Sequence, residues 1–196
     1  MSETIEFYYD FVSPPTYIGF CRLPELQEKF GVTVEYKPML LGGVHKAVEH
    51  KAAVTQTPSK IRWMFKDLSR TAKRHGIPLT MNKHFPMSTV GLMRGALVAK
   101  ERGEIETFNR AFFGAIWAEG KNVTDPEVMM GILTEAGLDP SVYATRTQEP
   151  AIKELLKAET ATAVERGVFG SPSYFVRDEL VFGQDRHHVV EEILGE

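Results

Sequence analysis

The sequence predicts an α/β fold whose strands lie at the two ends of the chain, with a long helical block between them. Three observations carry this. The opening Ile5-Glu6-Phe7-Tyr8-Tyr9 alternates and is aromatic, as a strand does, and a helix start follows within a few residues. After Gly167 come two short strand-like runs and a closing helix. From about Val44 to Ala163 the apolar residues recur at helical rather than alternating spacing. The order is therefore βαβ, helical block, ββα, and parallel pairing inside the first unit requires a right-handed crossover.

The elements follow from local signals. Asp10-Phe11-Val12 runs into Ser13-Pro14-Pro15, a serine N-cap with proline in the first turn. Val32-Thr33-Val34-Glu35-Tyr36 is the second strand. Thr57-Pro58 starts a helix that reaches His75 and stops at Gly76. Ser88 is placed to cap another that runs to Arg102, and a further helix covers roughly Ile105 to Trp117. Thr124-Asp125-Pro126-Glu127 reads as a capping box whose helix ends at Gly137. A helix from about Pro150 to Arg166 ends at Gly167, and the last one starts at Arg186.

Composition removes several function classes. A net charge of −3 and a pI of about 6.1 give no support to a nucleic-acid or anionic-membrane surface. The basic stretch from Lys60 to Arg74 is interleaved with apolar residues at helical spacing, so it reads as an amphipathic face. No run approaches the roughly 18 apolar residues of a membrane span. Met1-Ser2-Glu3-Thr4 leads straight into a strand without a basic segment, and the single Cys21 forbids an intramolecular disulfide; both fit a cytoplasmic protein. The six histidines show no metal-ligand spacing. Cys21 lies two helical turns beyond Ser13 among apolar residues and reads as a small buried hydrophobe rather than a nucleophile.

Ser13 is the first candidate for chemistry. A cysteine at such a helix start would be a low-pKa thiolate. A serine cannot form a disulfide, but it can donate a hydrogen bond to a thiolate brought by another molecule. The helix N-terminus adds free N–H groups and the positive end of the dipole. A bare N-cap, worth about 1 kcal/mol, explains the same residue without function. Near the other end, Gly170-Ser171-Pro172 leads into Ser173-Tyr174-Phe175-Val176, which resembles the cis-proline loop of the thioredoxin superfamily. A cis Ser171-Pro172 bond would present the Ser171 backbone edge-on to an extended peptide. Phe182-Gly183-Gln184-Asp185-Arg186 then opens the last helix. Asp185 either caps it or receives an ammonium while Gln184 and nearby N–H groups hold a carboxylate.

Together, Asp-Phe-x-Ser-Pro, Gly-x-Pro-x-x-Phe and Gly-Gln-Asp-Arg, in this order from Glu6 to the last helix, resemble the 2-hydroxychromene-2-carboxylate isomerases. They are similar also to the related kappa-class glutathione transferases. The resemblance implies a thioredoxin-like domain formed by residues 1–43 and 164–196, split by an all-helical insertion, residues 44–163. It implies glutathione as cofactor, a small aromatic carboxylate as substrate and a homodimer. Ser13 would hold the glutathione thiolate, and Lys60, Ser171, Pro172, Phe182, Gly183, Gln184 and Asp185 the rest of the cofactor. Lys46 would meet a carboxylate, with His50 near a substrate-contact position, although a solvated lysine is the default for Lys46 and Lys60 alike. Trp63 and Phe85 would wall an aromatic pocket, or else belong to the core. Relatives commonly show Ser-Pro-aromatic-Ser where Ser13-Pro14-Pro15-Thr16 stands, and asparagine near His50 and at Ser88. The implied activity is glutathione-dependent isomerisation of 2-hydroxychromene-2-carboxylate. A kappa-like transferase or peroxidase, and a glutathione-binding protein without catalysis, remain the other two readings.

Overall fold

The first strand, β1 (Thr4–Tyr9), sends Ile5, Phe7 and Tyr9 to one face of a sheet and Tyr8 to the other, and all four are buried. The computed structural model describes residues 3–50 and 57–196; Met1, Ser2 and residues 51–56 lie outside them. Helix α1 (Pro14–Phe30) begins at the expected Ser13 cap and ends at Gly31, whose φ of 65° is left-handed. It leads into β2 (Thr33–Pro38), which lies parallel to β1 with Tyr9 opposite Pro38. β3 (Ser173–Val176) and β4 (Glu179–Phe182) complete a four-stranded sheet in the order β2-β1-β3-β4. β3 is antiparallel to β1 and starts with Ser173 opposite Tyr8. That register lays the loop before β3 beside the residues that leave β1, which is how Ser171 and Ser13 meet across the chain. α9 (His187–Gly195) closes the fold. This is the thioredoxin-like arrangement expected, with helices inserted between its halves.

The insertion holds α2 (Leu41–Ala47), α3 (Pro58–Arg74), α4 (Val90–Glu101) and α5 (Ile105–Phe113), the last continuing into a π-helical turn, Gly114–Ala118. α6 (Pro126–Glu135), α7 (Pro140–Arg146) and α8 (Pro150–Glu165) follow. Its core is continuous with that of the sheet. Phe11 packs on Phe113 at 4.5 Å between centroids, and the Trp117 indole N–H donates to the Phe11 carbonyl at 2.8 Å. The Tyr9 hydroxyl donates to Asn109 Oδ1 at 2.7 Å. The opposite sheet face, with Tyr8 and Phe175, is covered by Val44 of α2 and Ala163 of α8.

Several local expectations are corrected. Ser88 is exposed and caps nothing, because α4 starts one residue later than Ser88 requires; Thr89 takes the cap position and turns its hydroxyl to Asp10. The Thr124–Glu127 capping box does not form. Asp125 caps α6 by accepting from Glu127 N at 2.9 Å, while Thr124 donates to Asn122. Helices α2 and α7 were not expected. Cys21 is half-buried rather than fully buried.

Candidate functional site

Ser13, Thr16, Ser171 and Pro172 form one hydroxyl-rich cluster. Ser13 Oγ accepts from Thr16 N at 3.3 Å and donates to the Ser171 carbonyl at 3.2 Å. The Thr16 and Ser171 hydroxyls lie 2.6 Å apart. Ser13 and Thr16 are both buried, Ser13 at 6% exposure. The Ser171-Pro172 peptide is cis. The Ser171 N–H has no hydrogen-bond partner among the described residues, which leaves it open to an extended chain. Two close approaches hold the loop against α1 and β4. A Cβ at Gly19 would come within 2.4 Å of Tyr174 Oη and 3.2 Å of Pro172 Cγ. Gly183, with φ 109°, donates its N–H to the Pro172 carbonyl at 3.0 Å.

One electrostatic expectation is overturned. The first turn of α1 offers no free N–H groups, because Pro14 and Pro15 have none and Thr16 N is taken by Ser13. Anion stabilisation there rests on the Ser13 hydroxyl and the helix dipole.

The remaining candidates divide by position. Phe182 is exposed, packs against Phe169 at 4.7 Å between tilted rings and covers Gly170, so it borders the loop. Gln184 is half-buried just beyond Gly183. Asp185 does not cap α9; its side chain is 53% exposed and ion-paired with Arg186. An ammonium reaching it would be solvated. Lys46 on α2 and Lys60 on α3 are exposed, and His50 is exposed and packs on the His45 ring at 4.8 Å. Trp63 is 59% exposed on α3, so it is no part of the core. Phe85 is half-buried against Trp117, at 5.7 Å, and Phe65. No hydrogen bond or ring contact among the described residues joins Lys46, His50 or Trp63 to the Ser13 cluster.

Asp10 was overlooked as a site residue. It is buried beside Ser13, whose N–H donates to its backbone carbonyl at 3.2 Å. Its carboxyl group accepts from Thr89 Oγ1 at 2.6 Å, Val12 N at 3.0 Å and Leu41 N at 2.9 Å. Burial raises its pKa, opposed by these donors. Asp10 thereby pins the starts of α2 and α4 to the end of β1. A lone carboxylate after an aromatic strand was the available signal. Cys21 is inert by comparison: burial pushes its thiol up to about 11.

Comparison with known proteins identifies the family and agrees with the fold. The model of the DSBA-like thioredoxin domain matches residues 4–195. The chain is 31% identical over 195 residues to the 2-hydroxychromene-2-carboxylate isomerase of Sphingobium xenophagum, covering 99% of both chains. It is 28% identical to glutathione S-transferase kappa 1 of Caenorhabditis elegans, covering 97% of this chain and 90% of that one. A solved structure of a 2-hydroxychromene-2-carboxylate isomerase superposes with a TM-score of 0.90 at 27% identity, over 98% of this chain and 94% of the other. The chain therefore belongs to the DSBA-like thioredoxin family, in the branch of the 2-hydroxychromene-2-carboxylate isomerases and kappa-class glutathione transferases.

Proposed function

We propose that this chain is a glutathione-dependent isomerase that converts 2-hydroxychromene-2-carboxylate to trans-o-hydroxybenzylidenepyruvate in bacterial naphthalene-type aromatic breakdown. The observation that carries the reading is the buried Ser13 hydroxyl at the start of α1, facing the Ser171-Pro172 loop, in a chain whose one thiol is half-buried and weakly acidic. The names of similar proteins support it.

The residues present fit a thiol-bearing peptide. The open Ser171 N–H suits the carbonyl of an extended cysteinyl unit, and Gly183, whose N–H donates to the Pro172 carbonyl, leads on to Gln184 and Asp185 for a γ-glutamyl group. When bound, glutathione would supply a nucleophilic thiolate, the chemistry of reversible covalent catalysis at a conjugated double bond with no net change in the cofactor. Ser13 holds negative charge on sulfur by donating its one hydroxyl proton, which must turn away from the Ser171 carbonyl to do so. Asp10, tied by three donors, fixes the turn that carries Ser13. Lys46 and Lys60 are the cations assigned to substrate and cofactor carboxylates. No net redox change occurs, in keeping with the absence of a Cys-x-x-Cys pair. We assign the protein to the cytoplasm as a homodimer.

The second reading is a kappa-like transferase acting on another electrophile, favoured by relatives of that name. Parallel turnover of 2-hydroxychromene-2-carboxylate and chlorodinitrobenzene, each with glutathione, separates the two. Isomerisation without measurable conjugation supports the proposal. Conjugation alone establishes the rival, and glutathione binding with neither turnover leaves a binding protein.

A further inference from the structure

A cavity of about 500 Å³ opens between α2, α4 and α8, and no residue of the Ser13 hydroxyl cluster lines it. Lys153, Leu156, Lys157, Ala161 and Val164 recur along one face of α8 and form one wall. Leu40 and Val90, from the starts of α2 and α4, form the other end. The lining is apolar between three cations: Arg94 on α4 with Lys153 and Lys157 on α8. Lys157 is ion-paired with Glu154 at 2.7 Å, and Glu165 stands exposed on the rim, so a positive excess remains at Arg94 and Lys153.

Arg94 is the informative residue. It is half-buried on an otherwise buried stretch of α4, from Leu92 to Ala99. Its Nε is shut off from solvent with no hydrogen-bond partner, and among the described residues the guanidinium makes no ion pair. Arg94 lines the cavity without an ion pair among the described residues, and a guanidinium is matched by a planar carboxylate that takes two parallel hydrogen bonds. Such an anion attached to a compact apolar body would fill the cavity and pair Arg94 at once.

We propose that this cavity is a second binding site, for an apolar small-molecule carboxylate whose anionic head pairs with Arg94, with Lys153 behind it. The site does not depend on the reading given to Ser13. Leu40 and Val90 adjoin Leu41 and Thr89, two of the residues that hold the Asp10 carboxyl group, while Ser13, Thr16, Ser171 and Pro172 are not among the lining residues.

The test is calorimetric titration of the full chain with 2-naphthoate, in saturating glutathione, with the neutral 2-naphthalenemethanol as control. Wild type is expected to bind 2-naphthoate at least tenfold more tightly than the alcohol. Arg94→Gln should weaken 2-naphthoate at least tenfold with little change for the alcohol. Ala161→Trp, at an exposed helix position that fills the cavity without touching the core, should abolish both, and Ser13→Ala should leave both unchanged. Any of four results overturns the proposal: no binding by wild type, equal binding by folded Arg94→Gln, loss of binding in Ser13→Ala, or conversion of a dimer to a monomer by Ala161→Trp, which would make this face an interface.

Discussion

Replacing Ser13 with alanine separates its two roles. In the free protein the hydroxyl caps α1, which contributes about 1 kcal/mol, and it gives the buried Ser171 carbonyl a partner, worth about another 1 kcal/mol. Ser13→Ala should therefore lower folding stability by about 2 kcal/mol, read as a shift in the urea midpoint. With glutathione bound, the hydroxyl proton serves the sulfur. A hydrogen bond to a charged acceptor contributes about 1.5–3 kcal/mol, from which the forfeited Ser171 bond of about 1 kcal/mol must be subtracted. The net is about 1 kcal/mol, or roughly 0.7–1 pKa unit. Of the first-turn N–H groups, Pro14 and Pro15 have none, and only Thr16 N, released when the Ser13 hydroxyl is removed, can take over part of this role, so that figure is an upper limit. The free thiol pKa near 8.5 should thus fall further on binding to wild type than to Ser13→Ala, by about that unit. The assay is the ultraviolet absorbance of the bound thiolate through a pH titration, with turnover measured alongside. Coincident curves and equal turnover would reduce Ser13 to a helix cap and refute the reasoning.

Three further outcomes follow from the structure. Gly19→Ala places a methyl against Tyr174 Oη and Pro172, so stability should fall by about 1–3 kcal/mol and glutathione should bind more weakly by calorimetry; an unchanged melting temperature and affinity would show that the α1–loop contact is loose. His187 is buried, with Nε2 3.0 Å from the Tyr174 hydroxyl, and burial first, then Arg22, lowers its pKa to about 3. Because the native state holds the neutral ring, stability should be complete above about pH 6.5 and fall as the pH drops toward 3, by up to about 3 kcal/mol at pH 4. In urea titrations at pH 7 and pH 4, His187→Gln should lose much of that acid sensitivity, and an identical pH slope would contradict the assignment. Asp185→Ala should weaken glutathione by less than about 1 kcal/mol, since the carboxylate is exposed and already paired with Arg186; calorimetry showing no change removes Asp185 from the site.

What could be read from the sequence was mostly local. Ser13-Pro14-Pro15 carries its own capping signal, and the structure shows Ser13 capping α1. Ser88 and Thr89 are adjacent hydroxyls that a local rule cannot separate, and the choice is made by Asp10, far away in sequence. Asp10 itself looks like a turn residue until the fold buries it. Helix α2 contains Gly42 and Gly43, poor helix formers, and its start is held from outside by the Asp10 bond to Leu41 N. Helix α7 was legible and passed over: Asp139-Pro140 repeats the cap-and-proline signature of Asp125-Pro126. The exposure of Asp185 and Trp63 depends on packing that no spacing rule reports. The loss of N–H donors in the first turn, by contrast, was written in Pro14 and Pro15.

The central claim is that the thiol comes from glutathione and that Ser13 activates it for isomerisation. The direct measurement is the initial rate of 2-hydroxychromene-2-carboxylate isomerisation by the full chain as glutathione is raised from none to saturation, for wild type and Ser13→Ala at neutral pH. The account expects no enzymatic rate without glutathione, saturable activation in wild type, and a rate several-fold to about tenfold lower in Ser13→Ala at saturation, matching a shift of about one pKa unit. Isomerisation that proceeds equally without glutathione, or equal saturated rates for the two proteins, would contradict it.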